Sequence, residues 1–324
     1  MAEMNLVEAV RSALDTEMAR DESVLVMGED VAVDGGVFRA TEGLLDEYGE
    51  ERVIDTPLSE SGIVGTALGL AVRGFKPVAE IQFMGFTYPA FDQIISHVSR
   101  IRNRSRGAYE CPMVVRAPYG GGIHAPEHHS ESTEALYAHV PGIKVAIPST
   151  PSDAKGLLSA SIRDPDPVMF WEPKKIYRAF TEDVPENGHT VELGEANVVE
   201  QGEDLTVISW GAMVHPVKAA AEAADASVEV VDLRTITPFD METVSESVQK
   251  TGRVVIVHEA PKTCGVGAEV AATIAERTDD LFSLEAPIKR VTGPDTVFPL
   301  YKLEEDYLPG VDRIREGMED TLSV

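Results

Sequence analysis

Cysteine is scarce in this 324-residue chain. Only Cys111 and Cys264 are present, far apart and outside any CxxC spacing. A disulfide framework or a thiolate metal site needs more thiols at closer spacing. The sequence therefore excludes a small disulfide-stabilised scaffold and a cysteine-based metal centre. The length indicates about two domains of ordinary size.

Basic residues are also few. The chain has 28 lysines and arginines but 55 aspartates and glutamates, which gives a formal net charge of −27. Partners rich in phosphate need a basic footprint, so nucleic acid and anionic membranes are poor partners for this chain. The acidic residues are spread from end to end and lysine is rare, which suits a cytoplasm where concentrated salt screens charge repulsion. We therefore predict a halophilic source.

Long apolar runs are missing too. The longest uncharged run of apolar and small residues, 62–72, is about half the roughly 20 residues that a membrane-spanning helix needs. The amino terminus lacks the positively charged segment and apolar core of a secretion signal. Because 43% of the residues are apolar, the sequence predicts folded cores in a soluble, cytoplasmic protein.

Short apolar runs alternate with helical patterns along the chain. One set lies at 24–28, 76–83, 112–118, 142–147 and 167–172, and a second at 205–211, 228–233, 253–260 and 288–292. Apolar spacing predicts a helix over 88–104, and a Ser149 or Thr150 cap followed by Pro151 predicts another over 149–163. This order is typical of mostly parallel sheets covered on both faces. The predicted fold class is α/β, with two doubly wound domains.

A polar stretch with prolines separates the two sets. Residues 172–190 have no apolar period long enough for a helix or a strand, which is typical of a linker. We therefore predict domains at residues 1–185 and 186–324. The final residues, with Pro294, Pro299 and Pro309, are predicted to form a packed irregular tail.

A first group of candidate functional residues lies in DTPLSESGIVGTALGLAVRG, residues 55–74. Glu60 opens a predicted helix in which Gly62, Gly65 and Gly69 leave one face nearly without side chains. A glycine costs a helix interior about 1 kcal/mol, so three of them indicate a close neighbour or ligand. Glu60 alone is equally compatible with a solvated carboxylate that stabilises the helix start.

A second group lies in RAPYGGGIHAPEHHSES, residues 116–132. Three glycines after a predicted strand can wrap a ligand, and His124, His128 and His129 follow them. Open α/β sheets bind ligands at the carboxyl ends of their strands, and histidine transfers protons near neutral pH. Zinc held by these histidines with Glu127 is the less favoured alternative, because Pro126 prevents the helical turn that would align them.

Other patterns have simpler interpretations or are missing. Four arginines form the one basic cluster, and ion pairs at a subunit interface explain it better than phosphate binding: Arg100, Arg102, Arg104 and Arg106. No GxGxxG, GxxxxGK[ST] or GxSxG motif occurs. These absences weaken dinucleotide-binding, P-loop and serine-hydrolase interpretations.

Six ordered motifs carry a family resemblance. They are DTPLSESGI, EIQFMGFTYPAFDQI, APYGGGIHAPEHHSES, PGIKVAIPSTPSDAKGLL, VVDLRTITPFD and LEAPIKRVTGPDTVFP. Together they closely resemble the β subunit of the thiamine-diphosphate-dependent first component of 2-oxo acid dehydrogenase complexes, of the pyruvate or branched-chain type. The resemblance covers residues 4–310. It implies a pyrimidine-binding domain followed by a transketolase-type carboxyl-terminal domain.

The resemblance implies roles for three residues. Glu60 matches the glutamate that hydrogen-bonds the aminopyrimidine ring of thiamine diphosphate and drives the tautomer that removes the thiazolium proton. Phe86 matches an aromatic residue that packs on the pyrimidine. His129 matches the histidine that contacts substrate and assists acyl transfer to the lipoyl group. His124 and His128 inherit no role.

A potassium ion in this subunit is also implied by the resemblance. The matching ligands, mostly through backbone oxygens, are Met113, Ser161, Ile162, Asp164 and Asp166. Ser161 replaces a usual alanine or cysteine and Asp166 a usual asparagine, and main-chain ligation tolerates both changes. The alternative is an ordinary helix-to-strand turn over DPDP.

One family motif is missing from this chain. The diphosphate and magnesium are held by a GDG motif followed by an asparagine, and no GDG occurs here. The resemblance therefore implies an α subunit that supplies this half of the site and most of the Mg²⁺ ligation. It further implies an α2β2 heterotetramer, with cofactor at the α/β interfaces, that docks to a lipoyl acyltransferase core.

The predicted function is thus reductive acylation of lipoyl groups after decarboxylation of a 2-oxo acid, carried out together with an α subunit. Two alternatives stay open. One is the β subunit of acetoin dehydrogenase, and the other is a non-catalytic binding or scaffold subunit that kept the fold. Glu60, Phe86 and His129 argue against the scaffold. Pyruvate and branched-chain 2-oxo acids are not distinguished, because residues of both subunits set the pocket size.

Overall fold

The computed structural model describes residues 1–186 and 188–324. Its strands are β1 (Ala2–Met4), β2 (Val24–Gly28), β3 (Val53–Asp55), β4 (Lys76–Glu80), β5 (Val114–Tyr119), β6 (Lys144–Ala146), β7 (Val168–Pro173), β8 (Glu182–Val184), β9 (Asn197–Glu200), β10 (Leu205–Ser209), β11 (Val228–Asp232), β12 (Thr235–Thr237), β13 (Val254–Pro261) and β14 (Lys289–Gly293). Its α-helices are α1 (Leu6–Arg20), α2 (Leu44–Tyr48), α3 (Glu60–Val72), α4 (Phe91–Ser96), α5 (Ile101–Arg104), α6 (Glu134–Ala138), α7 (Pro151–Arg163), α8 (Val214–Glu222), α9 (Met241–Thr251), α10 (Val266–Glu276), α11 (Thr278–Ser283), α12 (Glu304–Tyr307) and α13 (Val311–Leu322).

Two mostly parallel sheets organise the chain. Seven strands form the larger sheet in the order β12-β6-β7-β5-β4-β2-β3, with β12 antiparallel to its neighbour. Five strands form the second sheet in the order β14-β13-β10-β11-β9, with β9 antiparallel. Along β2, Gly28 lies beside Asp55 on one side and Glu80 on the other, and Glu80 lies beside Arg116. The carboxyl ends of β2, β3, β4 and β5 therefore meet at one edge of the larger sheet.

Helices cover both faces of the sheets. In β2, Val24 and Val26 pack into one core with α1 and α7, whereas Leu25 and Met27 pack into a second core with α3. This division follows from strand geometry, because successive side chains point to opposite faces. Every residue of β2 is therefore apolar or glycine, as in a strand buried on both sides. The predicted doubly wound α/β fold is confirmed.

The predicted helix over 88–104 is wrong in part. The chain forms a 3-10 helix at Met84–Ala90, then α4, a second 3-10 helix at Val98–Arg100, and α5. The carbonyl of Ile95 accepts hydrogen bonds from the Ser99 hydroxyl and the Arg100 guanidinium, both at 2.9 Å. These side chains take an acceptor that a continuous helix would use for its own backbone. The predicted helix over 149–163 is observed as α7, with Thr150 accepting the Asp153 N–H at 3.1 Å.

Two segments that the sequence predicts to be irregular contain strands or helices. Within 172–190, β7 continues to Pro173 and β8 pairs with β1, a partner at the far end of the chain that local pattern does not reveal. Within 294–324, α13 packs Ile314 and Met318 against the core, four residues apart on one helix face. The prolines all precede this helix, so they do not interrupt it. Residue 187, in the predicted linker, lies outside the described residues.

The chain halves are also joined by a strand. β12 belongs to the predicted second domain, yet it pairs with β6 in the larger sheet. Across the described ranges 1–186 and 188–324, no helix has the length and apolar character needed to cross a membrane.

Candidate active site

Four loops meet where adjacent parallel strands end. The loop after β2 carries Glu29, that after β3 leads into Glu60, that after β4 carries Phe86, and that after β5 carries His129. The four strands are neighbours in the order β5-β4-β2-β3. Because open α/β sheets bind ligands at the carboxyl ends of their strands, this edge is the candidate active site.

Glu60 is the first residue of α3 and is half-buried. The loop before it is tied to the loop after β2, because the Asp55 carboxylate accepts the N–H of Ala32 at 2.7 Å and of Val33 at 3.2 Å. These bonds hold the loop after β2 against the end of β3, the strand that leads into Glu60. Helix α3 in turn contacts the segment after β4, where the Ser61 hydroxyl donates to the carbonyl of Pro89.

Glu29 also lies at this edge of the sheet, and sequence reasoning missed it. Its carboxyl is half-buried, and its pKa is raised by burial and by the charges of Asp30 and Glu60. The Glu60 charge therefore acts on the Glu29 carboxyl at this edge of the sheet. The available signal was its position: Glu29 directly follows a fully buried strand at the carboxyl edge of the predicted sheet.

The glycine face of α3 is open. A Cβ added to Gly62 would lie 3.1 Å from the Ser59 hydroxyl, and one on Gly65 would lie 3.4 Å from the Gln93 side chain. On Gly69 it would have no atom of the described residues within 4 Å. The described residues therefore supply a neighbour at Gly62 and at Gly65 but none at Gly69.

Phe86 and His129 are in direct contact. The His129 ring lies 5.0 Å from the Phe86 ring and 4.4 Å from the Phe83 ring, measured between centroids. The two loops can approach because residue 85 is glycine: a Cβ there would overlap the carbonyl oxygen of His128 and lie 2.9 Å from Glu131 Cγ. The structure therefore brings together two of the three residues to which the resemblance assigns a role, and α3 packs on the same segment.

The His129 ring is oriented by its own loop. Its Nδ1 lies 2.8 Å from the carbonyl oxygen of Glu127. A carbonyl only accepts, so Nδ1 carries the proton and donates. In the neutral ring Nε2 is then the bare nitrogen, able to accept a hydrogen bond or a proton.

The three histidines of this loop diverge. His124 Nδ1 donates to the carbonyl of Tyr301 at 3.0 Å, and His128 Nδ1 lies 3.5 Å from the Glu131 carboxylate. Within the described residues, the one group of three potential metal ligands is His124, Glu304 and Glu305. It does not include the other two histidines, so the structure gives no support to the three-histidine zinc alternative.

Beneath the site lies a buried ionic cluster. Arg116 of β5 donates to both carboxylate oxygens of Glu172, at 2.6 and 2.8 Å, and to Glu80. The Tyr177 hydroxyl also donates to Glu172, at 2.6 Å. All four residues are buried. The cluster joins the ends of β4, β5 and β7 just below the loops that carry Phe86 and His129.

The carboxylates of the predicted potassium ligands have basic partners. Asp164 pairs with Lys144 Nζ at 2.5 Å and also accepts the N–H of Asp166 at 2.9 Å. Asp166 pairs with Arg102 Nε at 2.5 Å. Arg102, from the basic cluster, is thus bound within the chain. A cation in this region would have to bind chiefly to main-chain oxygens.

The main-chain carbonyl oxygens near the end of α7 are suitable ligands for such a cation. Ser161 and Ile162 lie in the last turn of α7, where carbonyls lack helical partners and carry the negative end of the helix dipole. The Ser161 carbonyl accepts the Asp164 N–H at 3.4 Å, and the Met113 carbonyl accepts the Val168 N–H at 3.0 Å. A carbonyl has two lone pairs, so each can still face an ion.

Comparison with known proteins identifies the family. The protein-family model described as "Transketolase, pyrimidine binding domain" matches residues 2–179. The family model described as "Transketolase, C-terminal domain" matches residues 194–314. Pyruvate dehydrogenase E1 component subunit beta of Bacillus subtilis (strain 168) is 54% identical over 325 residues, covering 99% of each chain. The chain belongs to the family of pyruvate dehydrogenase E1 component β subunits. Proteins of the same name from Staphylococcus epidermidis and Staphylococcus aureus are 53% and 51% identical, again over 99% of each chain.

A solved structure has the same fold as this β subunit. A chain described as "Split gene transketolase, inactive beta4 tetramer" superimposes with a TM-score of 0.80 and 22% identity, covering 99% of this chain and 98% of that one. The predicted fold and the predicted function, as the β subunit of a 2-oxo acid dehydrogenase component, are confirmed. The roles of Glu60, Phe86, His129 and the potassium ligands stay predictions.

Proposed function

We propose that this chain works with an α subunit to decarboxylate pyruvate on thiamine diphosphate and to transfer the acyl group to a lipoyl group. The family depends on thiamine diphosphate. The observation that carries the proposal is the convergence of the loops bearing Glu60, Phe86 and His129 on one sheet edge. Pyruvate is favoured over branched-chain 2-oxo acids because the relatives at 51–54% identity bear the name pyruvate dehydrogenase.

Residues at this edge fit the aminopyrimidine half of the cofactor. Glu60 offers a half-buried carboxylate, Phe86 offers a half-buried ring for stacking, and the open glycine face of α3 leaves room beside them. When bound, thiamine diphosphate supplies the carbon nucleophile that attacks the 2-oxo group. Glu60 would hold the ring by a hydrogen bond and keep a proton at its carboxylate. Phe86 would fix the ring plane and exclude water.

His129 is proposed to act on the substrate side. Its Nδ1 is committed to the Glu127 carbonyl, so Nε2 can bind substrate or move a proton during acyl transfer. Replacing His129 with alanine should slow acyl transfer to a lipoyl domain by about 10²-fold or more, the usual range for a lost general acid or base. His139→Ala, at an exposed histidine of α6's carboxyl end, is the matched control. An unchanged rate in His129→Ala would remove His129 from the site.

An α subunit is proposed to complete the site. The chain has no GDG motif, α3 has no described neighbour at Gly69, and Leu58, two residues before α3, is 71% exposed. We propose an α2β2 heterotetramer in which the α subunit covers this face and holds the diphosphate and Mg²⁺. A lipoyl acyltransferase core would dock on the carboxyl-terminal domain. The domain division at residues 1–185 and 186–324 is part of the same proposal.

Potassium is proposed as a structural ion at the end of α7. The donors would be main-chain oxygens of Met113, Ser161 and Ile162 with Asp164 and Asp166 completing the set. Replacing potassium with sodium should lower the melting temperature of the subunit, because a ligand that binds only the folded state stabilises it. Equal melting temperatures in the two salts would contradict the site.

Adaptation to high salt is proposed from the charge distribution. Of the 55 acidic side chains, ten are buried, so the net charge of −27 lies mainly on the surface. The Debye length, the distance over which salt screens charges, falls to about 3 Å at 1 M salt. Such screening removes most of the charge repulsion between neighbouring subunits. The heterotetramer should therefore dissociate at low salt, as measured by light scattering. A tetramer that stays intact without added salt would contradict this proposal.

The function is tested by reconstitution. The chain should be co-expressed with its α-type partner and assayed on pyruvate, on branched-chain 2-oxo acids and on acetoin, with binding of thiamine diphosphate measured in parallel. We expect pyruvate to give the highest kcat/KM. A preference for acetoin would instead identify an acetoin dehydrogenase subunit, and cofactor binding without any turnover would identify a non-catalytic subunit.

A further inference from the structure

The loop that carries His129 is bound at its beginning by the carboxyl-terminal half of the chain. The N–H of Gly121 donates to Glu259 Oε2 at 2.9 Å. The N–H of Gly122 donates to Glu304 Oε1 at 2.6 Å. Glu259 lies in β13 and Glu304 opens α12, so both acceptors are well over a hundred residues away in sequence.

Glu304 binds the loop at a second point. Its Oε1 also accepts the N–H of His124, at 3.3 Å, and the neighbouring carbonyl of Tyr301 accepts the His124 ring N–H at 3.0 Å. Side chains from the same region close over the glycines, since a Cβ on Gly121 would lie 2.6 Å from Phe298 and 3.2 Å from Leu308. Residues 298–308 thus hold the first half of the loop by both hydrogen bonds and packing.

The two acceptors are buried carboxylates. Glu304 is fully buried and Glu259 is 5% exposed. Burying a carboxylate is costly unless hydrogen bonds or a counter-charge compensate, and hydrogen bonds to charged groups are stronger than neutral ones. Lys174, buried nearby, supplies the counter-charge: burial lowers its pKa to about 8, while Glu259 and Glu304 act in the opposite direction. The carboxylates and the loop therefore stabilise each other.

The loop needs such an anchor because its backbone is strained. His124 has φ of 53° and His128 has φ of 65°, the left-handed region that residues with a Cβ occupy at a cost of about 1–3 kcal/mol. Such conformations persist only where surrounding contacts hold them. The far end of the loop, at Glu131, is tied back to the end of β5: the Glu131 carbonyl accepts the N–H of Gly120 at 2.9 Å. At its beginning, Glu304 is the contact that fixes residues 122–124.

We propose that Glu304 is a positioning residue for the acyl-transfer step, holding the loop so that His129 stays against Phe83 and Phe86. Only four residues lie between His124 and His129, so release of the first anchor is transmitted to His129. The inference rests on the proposed function, because it needs His129 to take part in acyl transfer. Glu259 assists by holding Gly121.

The test compares three variants in the α/β complex loaded with thiamine diphosphate. Glu304→Ala removes the acceptor, Glu304→Gln keeps one acceptor oxygen, and Glu305→Ala changes the exposed neighbour as a control. Two readouts are measured: amide hydrogen exchange in residues 119–133, and the rate of acyl transfer to a lipoyl domain alongside decarboxylation with an artificial electron acceptor. Glu304→Ala is also made in a His129→Ala background.

We expect Glu304→Ala to raise exchange in the loop and to slow acyl transfer by about 10- to 100-fold, as a displacement near 1 Å can. Decarboxylation should change much less, Glu304→Gln should recover part of the loss, and Glu305→Ala should match the wild type. In the His129→Ala background Glu304→Ala should cost nothing further.

Two results would overturn the positioning role while leaving the proposed function intact: unchanged exchange in residues 119–133, or an equal loss in both backgrounds, which would indicate general destabilisation. A third result is different in kind. If His129→Ala alone leaves acyl transfer unchanged, the proposed role of His129 fails first, and the positioning role fails with it.

Discussion

Replacing Arg116 with methionine should destabilise the larger sheet strongly. The guanidinium is buried and donates to Glu80 and to both carboxylate oxygens of Glu172. Methionine fills similar space but donates nothing, so two buried carboxylates lose their counter-charge at once. Removing one partner of a buried ion pair costs about 3–5 kcal/mol, and the second carboxylate puts the expected loss at about 5 kcal/mol.

The pH dependence of this variant follows from the same contacts. Burial raises the pKa of Glu80, the Arg116 charge opposes that rise, and the Glu172 charge adds to it. Without Arg116 the pKa of Glu80 rises further, so the folded state binds the proton more tightly than the unfolded state does. Stability then increases as pH falls. The deficit relative to wild type should therefore shrink as the pH falls from neutral towards 4.5, the ordinary pKa of a glutamate.

Urea unfolding of the subunit, followed by circular dichroism, measures the loss. Arg315→Met is the matched control: its pair with Glu319 is solvent-exposed, and such pairs contribute about 0–1 kcal/mol. A loss in Arg116→Met no larger than that of the control would refute the view that Arg116 holds two buried carboxylates together.

Two further predictions concern single sites. In Gly85→Ala the new Cβ overlaps the His128 carbonyl, so the rate of acyl transfer should fall about tenfold or more. The control, Gly310→Ala, places its Cβ with no described atom within 4 Å and should keep the wild-type rate. Equal rates in the two variants would contradict the tight contact at Gly85. Burial lowers the pKa of His258 to about 4, so the wild type should lose stability as pH falls from about 6.5 to about 4. His258→Phe keeps the stacking on Trp210 and should flatten this slope of melting temperature against pH; an unchanged slope would contradict it.

Elements with a strong local period were predictable. The buried run of β2 and the capped start of α7 depend on neighbouring residues alone, and both are observed near their predicted bounds. Pairing between distant segments was not predictable in this way. β8 is polar and short, and it exists as a strand because β1 pairs with it from the other end of the chain.

The residues of the candidate site also differ in whether local sequence or long-range packing reveals them. Glu60 and His129 stand in motifs whose residues are adjacent in sequence, so their loops could be recognised before the fold was known. Glu304 has no such motif. Its contacts with Gly122 and His124 depend on how α12 packs against the loop after β5, which no local pattern encodes. Glu29 lies between these cases, since its position at a strand end was visible but its proximity to Glu60 was not.

The central claim is that Glu60 of this β subunit acts on thiamine diphosphate, and turnover of Glu60→Gln in the reconstituted α/β complex tests it most directly. Glutamine keeps the shape of the side chain but cannot hold the proton as a carboxylate does. We predict a complex that assembles and melts like the wild type but has lost pyruvate turnover, whereas Glu51→Gln, at an exposed glutamate, keeps full turnover. Wild-type turnover by Glu60→Gln would contradict the account.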